Sequence, residues 1–334
     1  MVSNPQMNIP DIVHARGLSK TYTVRQGRGQ NAVVEAVKGI DLSIEVKEIF
    51  GFLGPNGAGK TTALKMLITL LAPTSGQATV VGFDLHRQAK QIRRVIGYVS
   101  QAGGTDTSAT ARENLILQAQ LYGMTTDAAR QRARELIDQL QMGDFAERSA
   151  MTYSGGQRRR LDLALGMVHK PPLLFLDEPT LGLDPQSRAH FWDEIQRLRE
   201  EGATVFLTTH YMDEADKLCD RVSIIDRGVI VAEGTPGELK REIKGDSIVL
   251  GFDNDQVLST SRLALADEPY IRESLVKDGK LHLYVERGEQ DLPAIMRTLD
   301  DQFAAVTTVE FARPSLDDVF LQKTGRSLRD NESE

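Results

Sequence analysis

The sequence has almost no cysteine, no long hydrophobic run and no excess of positive charge. Cys219 is its only cysteine, which excludes an intrachain disulfide and suits a reducing compartment. No apolar run approaches the roughly 18 residues of a membrane-spanning helix, so we expect no segment to cross a bilayer. The net charge of -7 offers no general surface for nucleic acid, and we expect no nucleic-acid partner.

The residues that are present are ordinary for a globular protein, with 26% charged and 40% hydrophobic side chains. A length of 334 residues leaves room for one large domain and a smaller one. Residues 1–10 are polar and lack the apolar core of a signal peptide.

A glycine-rich segment of the form G-x-x-x-x-G-K-[ST] follows a short apolar run. Its residues are Gly54, Pro55, Asn56, Gly57, Ala58, Gly59, Lys60, Thr61 and Thr62. The run ending at Leu53 predicts a buried parallel strand, and apolar spacing predicts a helix over Lys60–Leu71. Such a unit directs backbone N–H groups and a helix N-terminus at one point, which suits the phosphates of a nucleoside triphosphate. The motif places Lys60 on the β- and γ-phosphates and the Thr61 hydroxyl on Mg²⁺; the alternative is a plain glycine-rich turn.

Two adjacent carboxylates end another apolar strand pattern. Leu173–Leu176 predicts a buried strand, and Asp177 and Glu178 follow it directly. The carboxyl ends of strands are where open α/β sheets bind ligands. Neighbouring strand side chains point to opposite sides, so the two acids need not share a role. Alone, the pair also fits solvated acids before a turn at Pro179. The glycine-rich segment Gly54–Thr62, called the phosphate loop from here on, favours a role at a nucleotide.

A motif in a helical region carries a resemblance to a known family. The segment that resembles the signature loop of the ATP-binding cassette (ABC) ATPases is Tyr153, Ser154, Gly155, Gly156 and Gln157. The resemblance implies that this loop closes over ATP held by a partner subunit, so that the chain forms half of a nucleotide sandwich. It also implies that Asp177 supports Mg²⁺ and that Glu178 is the catalytic carboxylate, which polarises the attacking water.

Further positions extend the resemblance to ABC ATPases. Gln101 falls where the family has a glutamine that touches Mg²⁺ and links the core to a helical insert. His210 falls at a histidine that senses the γ-phosphate, which makes it a catalytic residue with Lys60 and Glu178. Asp184 lies in a loop that crosses to the other subunit. Tyr22 falls where an aromatic ring stacks on adenine, with a core or surface aromatic as the alternative.

Three consecutive arginines, Arg158, Arg159 and Arg160, follow the signature motif. Consecutive side chains on a helix fan out around its axis, so this run does not predict a nucleic-acid surface. We expect the three arginines to lie on a solvated or phosphate-facing start of a helix.

The alternation of strand and helix patterns predicts an α/β fold with a parallel sheet. The resemblance implies a P-loop NTPase of the ABC cassette type, with a RecA-like core, an antiparallel β subdomain and a helical signature subdomain at about 102–168. We place an N-terminal extension at 1–11 and the ATP-binding domain at 12–242. The pattern βαββαβ over 247–324 predicts a small α+β, ferredoxin-like accessory domain, and the polar tail at 327–334 is predicted to be disordered.

Several element boundaries are predicted from local signals. Helices are expected at Ala111–Leu121, from an N-cap at Thr126 or Asp127 to Leu140, and at Gly155–Val168. In the accessory domain, Asp278-Gly279 predicts a tight hairpin, and a helix is expected over Asp291–Phe303.

The resemblance covers about Ile12–Gly325 and implies the ATP-hydrolysing subunit of an ABC exporter. Residues Ala312–Leu321 resemble the tail of daunorubicin-resistance-type drug exporter ATPases, which implies export of a drug-like or other hydrophobic compound. The implied cofactors are ATP and Mg²⁺. The implied partners are a second copy of the chain, or a similar ATPase subunit, and a separate polytopic membrane permease. That permease would hold the chain at the cytoplasmic face of the cell membrane.

Other functions within and outside transport stay open. A soluble ABC ATPase that acts on ribosomes typically has two cassettes in one chain, and this chain has a single set of motifs. Members that act on DNA carry a long coiled coil inside the cassette, for which the stretch between Gln101 and Ser154 is too short. Glu178 and His210 argue against a scaffold that does not hydrolyse ATP. An ABC importer ATPase remains an alternative, because only the C-terminal resemblance favours export.

Overall fold

The computed structural model describes residues 11–26, 30–243, 246–266, 268–301, 304–312 and 314–325. The chain forms two compact units, Met1–Thr235 and Pro236–Glu334. This division falls before residue 242, the predicted end of the ATP-binding domain, because helix Pro236–Glu242 packs on helix Leu316–Thr324 of the second unit. The predicted extension, apart from Asp11, and the predicted tail at 327–334 lie outside the described residues.

An antiparallel sheet begins the first unit. Its strands are β1 (Asp11–Gln26), β2 (Gln30–Glu45), β4 (Ser75–Val80) and β5 (Phe83–Asp84), in the order β2-β1-β4-β5. The sheet is half-buried: alternate residues such as Val13 and Ala15 are buried and pack in the same core as the helix after the phosphate loop. One buried face and one polar face is the usual pattern of an antiparallel sheet.

A mostly parallel sheet forms the centre of the first unit. Its strands are β3 (Ile49–Leu53), β6 (Ile96–Val99), β7 (Leu173–Asp177), β8 (Thr204–Thr209), β9 (Arg221–Asp226) and β10 (Val229–Gly234). Their order is β10-β9-β3-β8-β7-β6, and among the described strand pairs of this sheet only β9–β10 is antiparallel. Strands β3, β7 and β8 are buried along their whole length, as the continuous apolar runs predict. The carboxyl ends of β3, β7 and β8 therefore meet at one edge.

Helices lie between these strands and form an insert between β6 and β7. They are α1 (Lys60–Leu67), α2 (Ala89–Val95), α3 (Ala111–Leu121), α4 (Thr126–Gln139), a short 3₁₀ helix (Ala150–Thr152), α5 (Gly155–Met167), α6 (Pro185–Glu200) and α7 (Met212–Leu218). Strong caps fix two helices of the insert. A capping box joins Thr110 to Glu113 at the start of α3, and a second joins Ser154 to Gln157 at the start of α5.

Four helix boundaries in the first unit differ from the predictions. Helix α1 ends at Leu67 instead of Leu71, because Thr69 takes a left-handed conformation with φ 62° and closes the helix. The N-cap of α4 is Thr125, not Thr126 or Asp127, since the Thr125 side chain accepts from the backbone N–H of Ala128. Helices α4 and α5 end at Gln139 and Met167, each one residue before its predicted end.

The second unit has the predicted βαββαβ order and a final helix. Its elements are α8 (Pro236–Glu242), β11 (Asp246–Phe252), α9 (Asp255–Leu265), β12 (Ile271–Lys277), β13 (Lys280–Val285), α10 (Gly288–Asp301), β14 (Val306–Ala312) and α11 (Leu316–Thr324). The sheet order β12-β13-β11-β14 with antiparallel pairs confirms the ferredoxin-like prediction. Asp278 and Gly279 both have positive φ, as the predicted tight hairpin requires. Helix α10 starts at Gly288, before the predicted Asp291, and its predicted end at Phe303 lies outside the described residues.

Candidate functional site

The glycine-rich loop lies between β3 and α1, at the carboxyl edge of the parallel sheet. Gly57 and Gly59 have φ angles of 78° and 110°, a region that residues with a side chain disfavour. A Cβ on Gly54 would lie 2.2 Å from the carbonyl oxygen of Ile225, and one on Gly59 would lie 2.5 Å from that of Ala36. The loop backbone thus packs directly on β9 and β2, and these positions require glycine.

The remaining residues of the loop divide into buried and accessible ones. Pro55 and Ala58 are buried, and the carbonyl of Ala58 accepts from the N–H of Gly228 at 2.9 Å. Asn56 is exposed, and Thr62 is half-buried in the first turn of α1. The buried residues therefore anchor the loop to the fold, whereas the exposed Asn56 leaves its tip accessible to solvent.

Lys60 is the first residue of α1, and its side chain is only 5% exposed. Its ammonium donates to the carbonyls of Gly54 at 2.7 Å and Pro55 at 3.2 Å. It also lies 3.0 Å from Oε1 of Glu178. A buried cation needs partners of this kind, because desolvation otherwise makes its charge costly.

Asp177 ends β7 and receives two hydroxyl groups. The Thr61 hydroxyl donates to its Oδ1 at 3.1 Å, and the Thr208 hydroxyl donates to the same atom at 2.7 Å. Parallel pairing of β7 with β8 places Asp177 directly opposite Thr208. Thr208 is not among the predicted site residues; its position at the end of a neighbouring apolar strand was the available signal. These three side chains line the sheet edge with oxygen atoms.

Glu178 follows Asp177 in a left-handed conformation, with φ 47°. Its side chain is 7% exposed and contacts His210, whose Nδ1 lies 2.7 Å from Oε2. Burial raises the pKa of Glu178, but the hydrogen bond from His210 and the charges of Lys60 and His210 outweigh this effect and hold its pKa below the ordinary value. Glu178 is therefore ionised at neutral pH, and its carboxylate lies between the Lys60 ammonium and the His210 imidazole.

Arg159 on α5 does not lie where the sequence suggested. It was predicted on a solvated or phosphate-facing helix start, and this prediction is wrong, since its side chain is 7% exposed. Its guanidinium reaches the backbone carbonyls at the end of β7 and that of Ser100 after β6. Burial lowers the pKa of Arg159, and the charges of Asp162 and Asp177 oppose that shift. Arg158 is exposed and Arg160 is half-buried, so the arginines do fan out as expected.

The segment around Gln101 is also held by α5. Oδ1 of Asp162 accepts from the N–H groups of Gly104 at 2.9 Å and Thr105 at 3.1 Å. The side chain of Gln101 itself is exposed. Within the described residues it makes no hydrogen bond to Glu178 or its neighbours. The structure thus fixes the loop on both sides of Gln101 while leaving the glutamine accessible.

The signature loop begins α5 and lies against the start of α6. Ser154 caps α5 through its hydroxyl, and the Gln157 side chain accepts from the Ser154 N–H at 3.1 Å. Gly155 is exposed, and a Cβ on Gly156 would lie 2.9 Å from Oγ of Ser187. Asp184 caps α6 and accepts from the Ser187 hydroxyl at 2.6 Å. The two predicted subunit-contact segments are therefore neighbours in the fold.

Tyr22 lies on β1 opposite Val34 of β2 and is 36% exposed. The Lys20 ammonium lies 5.4 Å from the centre of its ring. The ring makes no hydrogen bond to the cluster of Lys60 and Glu178 among the described residues. The structure thus brings Lys60, Thr61, Asp177, Glu178 and His210 together and leaves Tyr22 and Gln101 at accessible positions outside that cluster.

Within the described ranges, none of the helices combines the length and apolar character needed to span a bilayer.

Comparison with known proteins agrees with this geometry. Residues 37–181 match the family model described as ABC transporter, and residues 234–324 match the C-terminal domain of the DrrA1-3-like ATP-binding proteins. The daunorubicin resistance ATP-binding protein DrrA2 of Streptomyces coeruleorubidus is 41% identical over 96% of this chain and 97% of its own. The linearmycin resistance ATP-binding protein LnrL of Bacillus subtilis is 34% identical over 96% of this chain and all of its own. The Nod factor export ATP-binding protein I of Ralstonia nicotianae is 35% identical over 98% of both chains.

Solved structures extend the comparison to the fold. A post-hydrolysis dimer of the ATP-binding cassette MJ0796 bound to ADP and Pi covers 67% of this chain and 98% of its own, with a TM-score of 0.60 and 27% identity. A second dimeric structure of this bacterial ABC transporter cassette matches with the same TM-score and identity. The cassette fold expected from the sequence is confirmed. The chain therefore belongs to the ABC transporter family, as an ATP-binding subunit that hydrolyses ATP.

Proposed function

We propose that this chain hydrolyses ATP at the carboxyl edge of its parallel sheet and thereby drives export of a drug-like or other hydrophobic compound through a separate membrane permease. The observation that carries the proposed site is the position of Glu178, which contacts both Lys60 and His210 beside the glycine-rich loop. An ionised carboxylate next to a phosphate-binding loop suits the activation of a water molecule for attack on a phosphate.

The phosphates are assigned to the loop Gly54–Thr62 and the Lys60 ammonium. The N-cap of α1 is Gly59, which has no side chain to cover the first N–H groups of the helix. These N–H groups and the positive end of the helix favour an anion. Lys60 is buried at the same point and adds a full positive charge.

Mg²⁺ is assigned to Thr61, Asp177 and Gln101. The residues fit a hard cation, because Thr61 and Asp177 already converge at 3.1 Å and offer a hydroxyl and a carboxylate oxygen. Gln101 joins the set through the family resemblance, and its exposed side chain is free to approach. When bound, Mg²⁺ would neutralise charge on the phosphate oxygens.

Glu178 is assigned as the base that accepts a proton from the attacking water. Its low pKa keeps it ionised, and an ionised carboxylate can only accept, so Nδ1 of His210 donates the hydrogen bond between them. This bond orients the carboxylate, and in the imidazolium form the other ring nitrogen of His210 would donate to an oxygen of the γ-phosphate. Hydrolysis thus uses Lys60, Glu178 and His210 as a connected group.

A second copy of the chain, or a similar ATPase subunit, is assigned as the partner that completes each site. The signature loop exposes Gly155 at the positive N-terminal end of α5, which suits the γ-phosphate held by the opposing subunit. Asp184 lies beside that loop, where it would cross to the partner. The dimeric cassettes among the structural neighbours support this arrangement.

Tyr22 is assigned to the adenine ring. The carbonyl of Ala36 lies close to Gly59, and β2 continues from Ala36 to Val34, which pairs with Tyr22. The aromatic ring therefore lies a short distance along the same hairpin from the phosphate loop. Aromatic rings stack favourably on nucleobases.

Export is assigned from the relatives, whose names describe daunorubicin resistance, linearmycin resistance and Nod factor export. A permease would hold the chain at the cytoplasmic face of the cell membrane. No residue of the proposed nucleotide site lies in the accessory domain proposed at 247–324, which belongs to the second compact unit.

The Glu178→Gln variant tests the proposed mechanism. The amide keeps the shape of the side chain and removes the base, so hydrolysis should fall roughly 10²–10⁴-fold. With ATP and Mg²⁺ the variant should accumulate as a dimer in size-exclusion chromatography, and ADP should not produce that dimer. Adding Ser154→Arg should prevent the dimer while ATP binding to the monomer persists. Hydrolysis at the wild-type rate by Glu178→Gln would overturn the assignment.

Transport is tested separately in cells. Expressed together with its permease, the wild-type chain should lower the accumulation of daunorubicin, and Glu178→Gln with the same permease should not. Equal accumulation with and without the wild-type pair would overturn export of this compound.

A further inference from the structure

Arg159 is a buried arginine on the helix that the signature loop begins. Its Nε donates to the carbonyl of Pro179 at 2.6 Å, and its Nη2 donates to those of Asp177 at 3.1 Å and Glu178 at 3.3 Å. Its Nη1 donates to the carbonyl of Ser100 at 2.8 Å. One guanidinium thus holds three consecutive peptide groups, with Glu178 in the middle.

The backbone that Arg159 holds is strained. Glu178 has φ 47°, which places a residue with a side chain in the left-handed region. Such a conformation persists only where the surroundings determine it. On its amide side, Glu178 donates to the carbonyl of Thr208 at 3.1 Å. On its carbonyl side the neighbouring peptide groups are held by Arg159.

We propose that Arg159 is a positioning residue for ATP hydrolysis: it holds the peptide groups around Glu178 so that the carboxylate stays directed between Lys60 and His210. This inference rests on the proposed function, in which Glu178 is the base. Arg159 itself contacts no proposed substrate group and acts through Glu178.

The geometry requires an arginine. A guanidinium offers five donors in a fixed plane, whereas a lysine ammonium offers three from a single point. Four carbonyls from two separate loops accept from Arg159, and a lysine could not reach them all. A methionine would fill the volume and leave these buried carbonyls without their donor.

The same side chain connects Glu178 with two other parts of the proposed machinery. Arg159 lies in the first turns of α5, shortly after Ser154, and Ser100 directly precedes Gln101. A movement of α5 would therefore displace the peptide groups around Glu178, because the Arg159 guanidinium joins the two. The position of Glu178 is in this way tied to that of the signature loop.

The test uses Arg159→Met and Arg159→Lys in the full-length chain. Arg159→Met should lower kcat about 10- to 100-fold, since a displacement of about 1 Å at a reacting group can cost about 10²-fold. The KM for ATP should change less than threefold, because the phosphate loop is untouched. Arg159→Lys, which keeps the buried charge and part of the contacts, should give an intermediate kcat with a thermal midpoint near that of the wild type. Arg134→Met, at an exposed arginine of α4, is the matched control and should leave kcat unchanged.

A double-mutant cycle with Glu178→Gln separates a positioning role of Arg159 from a general disturbance of the structure. If Arg159 acts through Glu178, adding Arg159→Met to Glu178→Gln should lower the residual rate, followed with radiolabelled ATP, less than twofold. A full additional loss in the double variant would overturn the inference, as would a folded Arg159→Lys with the wild-type kcat. A wild-type rate in Glu178→Gln alone would instead overturn the proposed function, so the two failures are distinguishable.

Discussion

The ammonium of Lys60 lies 3.0 Å from the carboxylate of Glu178, and both side chains are more than nine-tenths buried. The pair joins the proposed phosphate-binding cation to the proposed base. In the proposed site, phosphate oxygens would compete with Glu178 for the same ammonium. ATP binding would in that case free the Glu178 carboxylate from Lys60.

The first prediction follows from this competition. Glu178→Gln removes the charge that competes for Lys60, so we expect ATP to bind roughly three- to tenfold more tightly, about 1 kcal/mol. Isothermal titration with ATP under non-hydrolysing conditions would measure the change. Glu147→Gln, at an exposed glutamate, should leave the affinity unchanged. Unaltered or weaker binding by Glu178→Gln would show that the ion pair does not compete with phosphate.

The second prediction concerns pH. Burial raises the pKa of Glu178, while the hydrogen bond from His210 and the charge of Lys60 lower it below 4.5. The stabilising contribution of ionised Glu178 is thus present above its unfolded pKa and is lost as pH falls through the lower folded pKa.

His210→Ala removes the largest of the effects that lower this pKa, so burial is less opposed and the pKa should rise. The acid limb of the residual ATPase activity should then move to higher pH than in the wild type. His86→Ala, at an exposed histidine, serves as the control. An acid limb that stays in place in His210→Ala would contradict the assigned cause.

Local sequence signals predicted the residues that meet at the candidate site better than they predicted the contacts that hold those residues in place. Local signals place the glycine-rich loop, the acids at the end of β7 and the limits of α3 at Ala111–Leu121, and the structure has them there. Arg159 was mistaken for a surface residue because consecutive arginines at a helix start carry no local sign of burial. Its four acceptors come from two distant loops and appear only when β6, β7 and α5 are packed together. Thr208 was missed for the same reason, since strand pairing brings it to Asp177.

The third prediction concerns Lys47, which lies in the turn between β2 and β3. Lys47 has φ 65°, a left-handed conformation that favours glycine. A left-handed residue with a side chain costs about 1–2 kcal/mol, and glycine gives back about 0.5–1 kcal/mol through the entropy of the unfolded chain. Lys47→Gly should raise the free energy of unfolding by up to about 1 kcal/mol in urea titrations. Lys47→Ala, which keeps the strain, should not, and equal stability of the two variants would refute this explanation.

The fourth prediction concerns Glu214, a fully buried carboxyl on α7 that accepts from the indole N–H of Trp192 at 3.0 Å. Burial raises its pKa, against hydrogen bonds that lower it. The folded chain therefore binds this proton more tightly than the unfolded chain, and stability falls as pH rises from 4.5 through the folded pKa. Glu214→Gln should remove this part of the pH dependence, so its stability relative to the wild type should increase from pH 5 to pH 8. An unchanged difference in unfolding free energy between the two pH values would disprove it.

The last prediction tests the contact between the signature loop and α6. A Cβ on Gly156 would lie 2.9 Å from Oγ and 3.2 Å from Cβ of Ser187, whose hydroxyl donates to Asp184. Gly156→Ala should therefore displace Ser187 and disturb the loop that is proposed to cross to the partner. In a Glu178→Gln background, the ATP-dependent dimer should weaken while ATP binding to the monomer stays within about twofold, because the phosphate loop is elsewhere in the subunit. Ser187→Gly removes both close atoms, so adding it to Gly156→Ala should restore part of the dimer in size-exclusion chromatography. A dimer that is lost equally with and without Ser187→Gly would mean that the alanine methyl group obstructs the partner itself and not the contact within the subunit.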